Sequence, residues 1–377
     1  MTRRRALGHP LVWLALVFLV MPYVMPGSNP FTLHPGFVDL GTTILIFAIF
    51  AIGFNLLFGH TGELSFGHAM FFSIGAYSTA LYTNGFHVTL GGISLNHSPA
   101  NNFLMALLVA LVASALWAFL LARLIVPRSS GIYFSMVTLA FAQVVYFLTF
   151  NWSDLTGGED GVQGIARPVL DFFPDSAFKD STFFFYFTAL VAFVMFAAMY
   201  WVLRSPFGSV CHALRENRQR AQFLGYDVIK YRINSFFLSA LWPAVAGWLW
   251  AYYQQSMNPD AGSVEYSGRI VMMALLGGIG TFLGPALGAL VYWEMQNNLS
   301  QVTKYWEGYI GAVFAVFVLL APRGIWGGIE DISQYGFQNA LRRVFSRQAR
   351  VMSDIAQELP PSAAEDEGAG ITTQVRR

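Results

Sequence analysis

Charged side chains are scarce in this sequence. Asp, Glu, Lys and Arg make up 11% of its 377 residues, against roughly 25% in a soluble domain. Apolar residues make up 55%, and mean hydropathy is +0.50. A water-soluble chain of this length needs far more polar surface. The runs 102–122 and 183–203 contain no charged residue at all. Each is about the 20 residues a helix needs to cross ~30 Å of hydrocarbon. Neither shows the period-two alternation of barrel strands, so helices are the elements that satisfy the backbone there.

Other absences narrow the function. A single cysteine, Cys211, excludes an intrachain disulfide and reads as a small packing residue. Net charge is +1, which gives no field for nucleic acid. None of the three lysines, Lys179, Lys230 and Lys304, follows a glycine, so the chain carries no G-x-x-x-x-G-K-[ST] phosphate loop. No G-x-S-x-G elbow or Ser/His/Asp order suggests hydrolysis. The spacing of His60, Glu63 and His68 is not that of H-E-x-x-H, and no further ligand accompanies them. The chain is therefore expected to be no enzyme, and to need no metal or cofactor. An integral membrane enzyme would need a catalytic cluster, for which those three residues are the only material. An ion-coupled secondary transporter would need ionisable or unwound sites near mid-membrane, and Glu294 is the main ionisable residue inside an apolar segment.

What is present predicts an all-α, polytopic transmembrane bundle of eight to ten membrane segments. Ten segments are placed at 11–26, 38–58, 68–84, 102–126, 131–150, 183–203, 233–253, 269–280, 283–299 and 308–321, the third, eighth and tenth being short or broken. The first follows Arg3-Arg4-Arg5 and is read as an uncleaved helix, because no A-x-A site follows it and Pro22 interrupts it. With the N-terminus inside, the segments 1–10, 123–130, 204–232 and 323–377 hold 3, 2, 6 and 7 Lys and Arg, 18 of the 22. Basic residues stay on the cytoplasmic side during insertion, so both termini are expected there. Residues 1–328 form the membrane domain, with a cytoplasmic loop at 204–232 and an external one at 151–182. Residues 329–377 form a cytoplasmic tail: a basic amphipathic stretch at 331–352 suited to a lipid surface, then a segment expected to be disordered from about 360.

Four motifs stand out. The run from Gly59 to His68 combines glycines with polar groups between apolar segments. It must be buried or line a wet cavity, and Gly62, Glu63, Ser65, Phe66, Gly67 and His68, with Thr138, are candidates for a path or gate. The run from Gly277 to Pro285 has the same character, but Gly284 and Gly288, like Gly75, read better as close-packing positions. On a helix, Val210, Ala213, Leu214, Asn217, Ala221 and Leu224 share one side of the internal loop, with Arg215 and Glu216 beside them and Gly225 as the stop. Such a helix can dock in another protein's groove. The external loop opens on Trp152 as an interfacial anchor and continues through Thr156, Gly157, Gly158 and Gly161, a candidate docking or access surface.

These residues resemble the permeases of branched-chain amino-acid ABC transporters. The likeness runs from Gly53-Phe54-Asn55 through His68 to Gly75-Ala76-Tyr77, through Gly131 to Phe141 and on to Thr156-Gly157-Gly158 and Gly161. It continues in Ala213–Glu216 with Leu224-Gly225, Leu276–Thr281 and Pro322-Arg323-Gly324. It covers about 40–328 and looks most like the LivM-type member of the pair. One departure is Glu63, where that pattern leads to an apolar residue or an amide. The resemblance implies an importer in the bacterial inner membrane: this chain, a second related permease subunit, two ATP-binding subunits and a periplasmic substrate-binding protein. It implies that 213–225 couples to the ATPase, and that the cargo is a branched-chain or other hydrophobic amino acid. The same architecture also serves urea, short-chain amides and aromatic acids.

Overall fold

The computed structural model describes residues 35–90, 93–167, 178, 180–321 and 323–335. Helix α1 (Pro35–Asn55) runs into a π-helical turn, Leu56–Thr61, and is followed by α2 (His68–Asn84). A hairpin, β1 (Phe86–Leu90) and β2 (Ile93–His97), precedes α3 (Phe103–Ile125) and α4 (Ile132–Asn151). The short α5 (Ser153–Thr156), a 3-10 turn (Gly158–Asp160) and β3 (Val162–Gln163) lead to α6 (Ser181–Arg204). Then come α7 (Pro206–Glu216), α8 (Arg218–Phe223) and α9 (Val228–Gln254). β4 (Ser256–Met257) and a 3-10 turn (Pro259–Gly262) are followed by α10 (Val264–Gly277), α11 (Gly284–Val302), α12 (Trp306–Leu320) and α13 (Gly324–Tyr335).

The fold is a mostly helical bundle, as expected. Among the described residues, five stretches are long and apolar enough to cross a membrane: Val38–Thr61, Phe103–Ile125, Ile132–Asn151, Ser181–Arg204 and Trp306–Ile329. The predicted segments at 68–84, 233–253, 269–280 and 283–299 are also helical but fall short of that measure, and the segment 11–26 lies outside the described residues. The reason is packing. Helix α2 has 17 residues and α10 has 14, while α9 has 27 but mixes Ser, Trp, Tyr and Pro243 with its apolar residues. A helix surrounded by protein need not satisfy lipid on every side.

Burial separates centre from rim. Of the α1 window 94% is buried, against 19–33% in the other four, so α1 is the hub and α3, α4, α6 and α12 expose apolar faces. Phe47, Phe50, Phe54, Phe71, Phe72, Trp248 and Tyr252 fill the space between α1, α2 and α9. Small residues let these helices touch backbone to backbone, as the sequence suggested for Gly75 and Gly288. A Cβ at Gly75 would strike the Ala244 main chain, one at Gly247 the Phe72 carbonyl and one at Gly288 the Met273 carbonyl.

Among the described residues, two small antiparallel ribbons depart from the all-helical expectation. One pairs Phe86 with His97 through Leu90 with Ile93. The other pairs Val162 with Met257 and Gln163 with Ser256, tying the loop after α4 to the chain beyond α9. Of the expected C-terminal organisation, α13 reaches Tyr335; the remainder of the amphipathic stretch and the tail lie outside the described residues.

Candidate functional site

The end of α1 is where the helix stops being regular. At Leu56–Thr61 the chain widens into a π-turn, then reverses at Gly62 in the left-handed conformation (φ 78°). Such insertions redirect carbonyls that an α-helix would consume. The Leu56 carbonyl accepts the Thr61 hydroxyl at 3.0 Å, and the Leu57 carbonyl accepts the Glu63 amide at 3.1 Å. The Gly59 carbonyl is taken by the guanidinium of Arg215, which reaches in from α7. Asn55, one turn earlier, donates its amide to the Thr281 carbonyl at 2.9 Å and accepts the Gly280 N–H at 3.0 Å. A side chain at Gly59 would collide with the Asn55 amide oxygen, which accounts for the glycine. This one turn therefore meets α7 and the α10–α11 connection together.

Glu63 completes the node. Its residue is 2% exposed, and its carboxylate oxygen lies 2.7 Å from Arg218 and 2.7 Å from Arg232. Both contacts are ion pairs, and the attraction is Coulombic. Arg232, in the first turns of α9, also donates to the Ser129 carbonyl at 2.7 Å, and Ser135 of α4 donates to the Leu64 carbonyl at 2.7 Å. A buried carboxylate is costly unless cations accompany it. The acidic departure at 63 is thus answered by two arginines, one of them on α8.

The other residues of this run are packed. The Ser65 hydroxyl accepts the Gly67 N–H at 3.2 Å, Phe66 is half-buried and Gly67 abuts the Thr138 carbonyl. His68 is buried, 3.0 Å from the Ser239 hydroxyl and ringed by Phe54, Phe71 and Phe236. Thr138 is buried and donates to the Ser135 carbonyl at 2.9 Å. Among the described residues no three His, Cys, Asp or Glu side chains gather as metal ligands.

The cytoplasmic-loop expectation needs correction in two respects. Residues 213–225 are not one helix. Asn217 leaves the helical conformation (φ −159°, ψ 105°) and its side chain caps the Arg220 N–H at 2.9 Å, so α7 ends and α8 begins there. Nor does the shared apolar side face outward as a whole. Val210, Leu214 and Ala221 turn inward and pack with Val228 and Tyr231 of α9, and Ala213 is half-buried. The outward apolar residues are Leu224 at 71% exposed and Phe223, missed in the sequence, at 90%. Arg215 reaches Gly59, while Glu216 sits in solvent beside His212. Gly225 ends the unit with φ 90°, as expected of a helix stop. Buried Cys211 lies against the Thr61 hydroxyl, and burial pushes its thiol up to about 11.

At the opposite end, the Thr156 hydroxyl lies 2.6 Å from the Thr149 carbonyl and 2.7 Å from that of Trp152. Gly157, Gly158 and Gly161 all have positive φ, folding the loop back on itself. A Cβ at Gly161 would strike the Met257 carbonyl. Asn84 of α2 donates to the Gln163 carbonyl at 2.9 Å, closing this loop onto the bundle.

The family described as branched-chain amino acid transport system / permease component matches residues 36–321. The chain belongs to this family. The permease is 27% identical to the high-affinity branched-chain amino acid transport system permease protein LivM of Escherichia coli K12 over 329 residues, covering 82% of this chain and 74% of that protein. It is 25% identical to a probable LivM of Methanocaldococcus jannaschii, over 71% of this chain and 83% of the relative. It is also 25% identical to the LivH permease protein of Salmonella typhimurium, over 78% of this chain and 94% of the relative. No solved structure matches it. The permease is accordingly a multi-pass membrane protein and a transport subunit of ABC type, not an enzyme, from a family whose members include both LivM and LivH types.

Proposed function

We propose that this permease is the LivM-type membrane subunit of an ATP-driven importer of branched-chain or other hydrophobic amino acids. It pairs with a second, related permease, two ATP-binding subunits and a periplasmic binding protein. Both termini face the cytoplasm, as do α7 and α8, and the loop around Thr156–Gly161 faces the binding protein. The basic bias of the loops supports that orientation. The hydrophobic amino acid as cargo rests on the named relatives.

One observation carries the mechanism: Arg215 and Arg218, on α7 and α8, hold the Gly59 carbonyl and the Glu63 carboxylate of the irregular turn after α1. Closure of the ATP-binding subunits moves the α7–α8 unit. The two arginines transmit that motion to 59–63, where the π-turn and Gly62 absorb it, and α1 carries it to the bundle centre. The packed residues Ser65 to His68, with Thr138, form the closed inner gate of this conformation. This is alternating access driven through one discrete element.

Phe223 and Leu224 are the contact that the ATP-binding subunit covers. The double substitution Phe223→Asp/Leu224→Asp should leave the permease inserted, strip the ATP-binding subunit from purified complexes and abolish uptake. Ala221→Glu, by contrast, strikes the permease's own packing and should lower its thermal stability. Complexes that keep the ATPase and normal uptake with Asp at both 223 and 224 would remove this docking surface from the mechanism.

A further inference from the structure

A cavity of about 250 Å³ lies at the outer end of the bundle, between the end of α9, the 256–261 segment and the first turns of α10. Pockets for drug-sized ligands run to roughly 300–1,000 Å³, so this one suits a smaller solute. Its walls carry Trp250 and Tyr266 on the apolar side and Asn258, Asp260, Glu265 and Arg269 on the polar side. Trp250 and Tyr266 both touch Phe47 of α1, so the apolar wall continues into the hub of the bundle.

The charges are placed for a molecule with both signs. Arg269 lies over Tyr266 at 5.0 Å and near Trp306 at 5.9 Å, is paired with Glu265 and stands 4.0 Å from Glu307. A guanidinium presents five N–H donors in a plane, so pairing with one carboxylate leaves donors for a second. Asp260 makes no ion pair among the described residues. The cavity thus offers a cation with donors in reserve, an unpaired anion and an aromatic wall.

A second observation marks the same rim. Gln255 is the only non-glycine residue with positive φ (54°) among the described residues. It stands between Gln254 and Ser256, both of which line the cavity. The Ile165 N–H holds its carbonyl at 3.0 Å, and the β3–β4 ribbon follows directly. Gln255 is the residue that ends α9, its N–H donating to the Ala251 carbonyl at 3.0 Å, so the helix stop itself forms this rim. The ribbon is also what joins the cavity to the Gly157–Gly161 loop.

We infer that this cavity is the outer binding site for a zwitterionic α-amino acid with an apolar side chain: carboxylate on Arg269, ammonium on Asp260, side chain against Trp250 and Tyr266. The inference deepens the import reading and rests on it for the direction of travel. Urea and short amides carry no charge for these groups, and an aromatic monoacid leaves Asp260 without a partner.

The test uses the permease in nanodiscs, co-purified with its partner subunits, and a diazirine analogue of leucine that keeps both charged groups. Photolysis followed by peptide mapping should label residues within 250–269, in competition with leucine. Loss of one charge-assisted contact corresponds to about 10–100-fold weaker binding. Arg269→Gln and Asp260→Asn should each cut labelling by that order, and Arg269→Lys should restore part of it. Asp260 is exposed and bonds to no other side chain among the described residues, so its variant answers the question if Arg269→Gln folds poorly. Labelling that misses 250–269, or that survives unchanged in Asp260→Asn, overturns the site. ATP-dependent leucine uptake in vesicles reports separately on import. Uptake with an unchanged KM in Asp260→Asn keeps import and discards the site, whereas site-specific labelling without uptake keeps the site and discards import.

Discussion

The two ends of the bundle are built from different interactions. At the end that holds α7 and α8, the irregular turn after α1 is gripped by side chains: Arg215 on a carbonyl, Arg218 and Arg232 on Glu63. At the other end the Thr156–Gln163 loop is held by a short backbone ribbon, by glycines and by neutral amides. Coulombic contacts at a partly exposed arginine can be broken and remade when a partner protein pulls, because water and neighbouring groups replace them. A backbone ladder closed around left-handed glycines has no comparable alternative arrangement. The first design suits a part that moves and the second a part that must keep its shape.

The largest effect that separates the two ends belongs to Glu63. Glu63→Ala leaves two arginines facing one another without their anion, and breaking a buried pair costs about 3–5 kcal/mol. Arg232→Ala, removing the buried cation, should cost a similar amount. Arg218→Ala should cost about 1 kcal/mol, because that guanidinium is 34% exposed and water screens it. Thermal unfolding in nanodiscs gives the ranking; equal losses at 218 and 232 would mean that burial does not order these contacts.

At the end that carries the β3–β4 ribbon, Gly161→Ala forces a side chain into φ 67° and onto the Met257 carbonyl. Gly164→Ala meets φ 71° but open space. The second carries only the left-handed penalty of about 1–2 kcal/mol, and the first must exceed it. Binding-protein-stimulated uptake should fall in Gly161→Ala with the ATPase still bound, and far less in Gly164→Ala.

A third measurement concerns Cys211. Its thiol is pushed up to about 11 by burial, against the Thr61 hydroxyl. It should resist maleimide at pH 7–8 in native membranes and react promptly in detergent-unfolded protein. The folded state holds this proton more tightly than the unfolded chain. The contribution to stability is therefore complete below the ordinary thiol range and is lost as pH rises from there through about 11. Prompt labelling of the native complex at pH 7 would show that α7 leaves the π-turn far more often than a tight grip allows.

The smallest effect is at Asp227, which caps α9 through the Lys230 N–H at 3.1 Å. Backbone and side-chain hydrogen bonds from Lys230 hold its carboxyl below the ordinary carboxylate value. Its stabilisation is present above the unfolded carboxylate range and fades as pH falls through the lowered value. Hydrogen exchange at the first turn of α9 should quicken in Asp227→Ala at neutral pH, and wild type and variant should converge in acid.

Helix positions were legible because lipid-length apolar runs have few other uses. The expected 102–126, 131–150 and 183–203 correspond to Phe103–Ile125, Ile132–Asn151 and Ser181–Arg204. The segments that became α2, α9 and α10 are helical as expected, and burial by neighbours, which one sequence does not display, lets them be shorter or more polar than the five long apolar stretches. The glycine-rich run at 59–68 was visible as an oddity. Its partners were not, because Glu63 meets residues more than 150 positions away and no local spacing encodes that. The break at Asn217 was hidden by an apolar period that continues across it; a good capping residue in mid-helix was the available signal. Phe223 was passed over because it falls off that period, although an aromatic side chain just before a terminating Leu-Gly was the clue.

The grip of Arg215 on the Gly59 carbonyl has a consequence for how this permease can diverge. A carbonyl is present whatever residue occupies a position, so substitutions at neighbouring side chains leave the acceptor in place. What confines position 59 is space, since any side chain there meets Asn55 and the Gly280 amide. In the proposed mechanism, the link to the ATP-binding subunit is thereby insulated from changes that retune the cargo. On that proposal a lineage can alter the walls of the cavity beside Trp250 and Arg269, and with them what is carried, while the same arginine holds the same stretch of main chain.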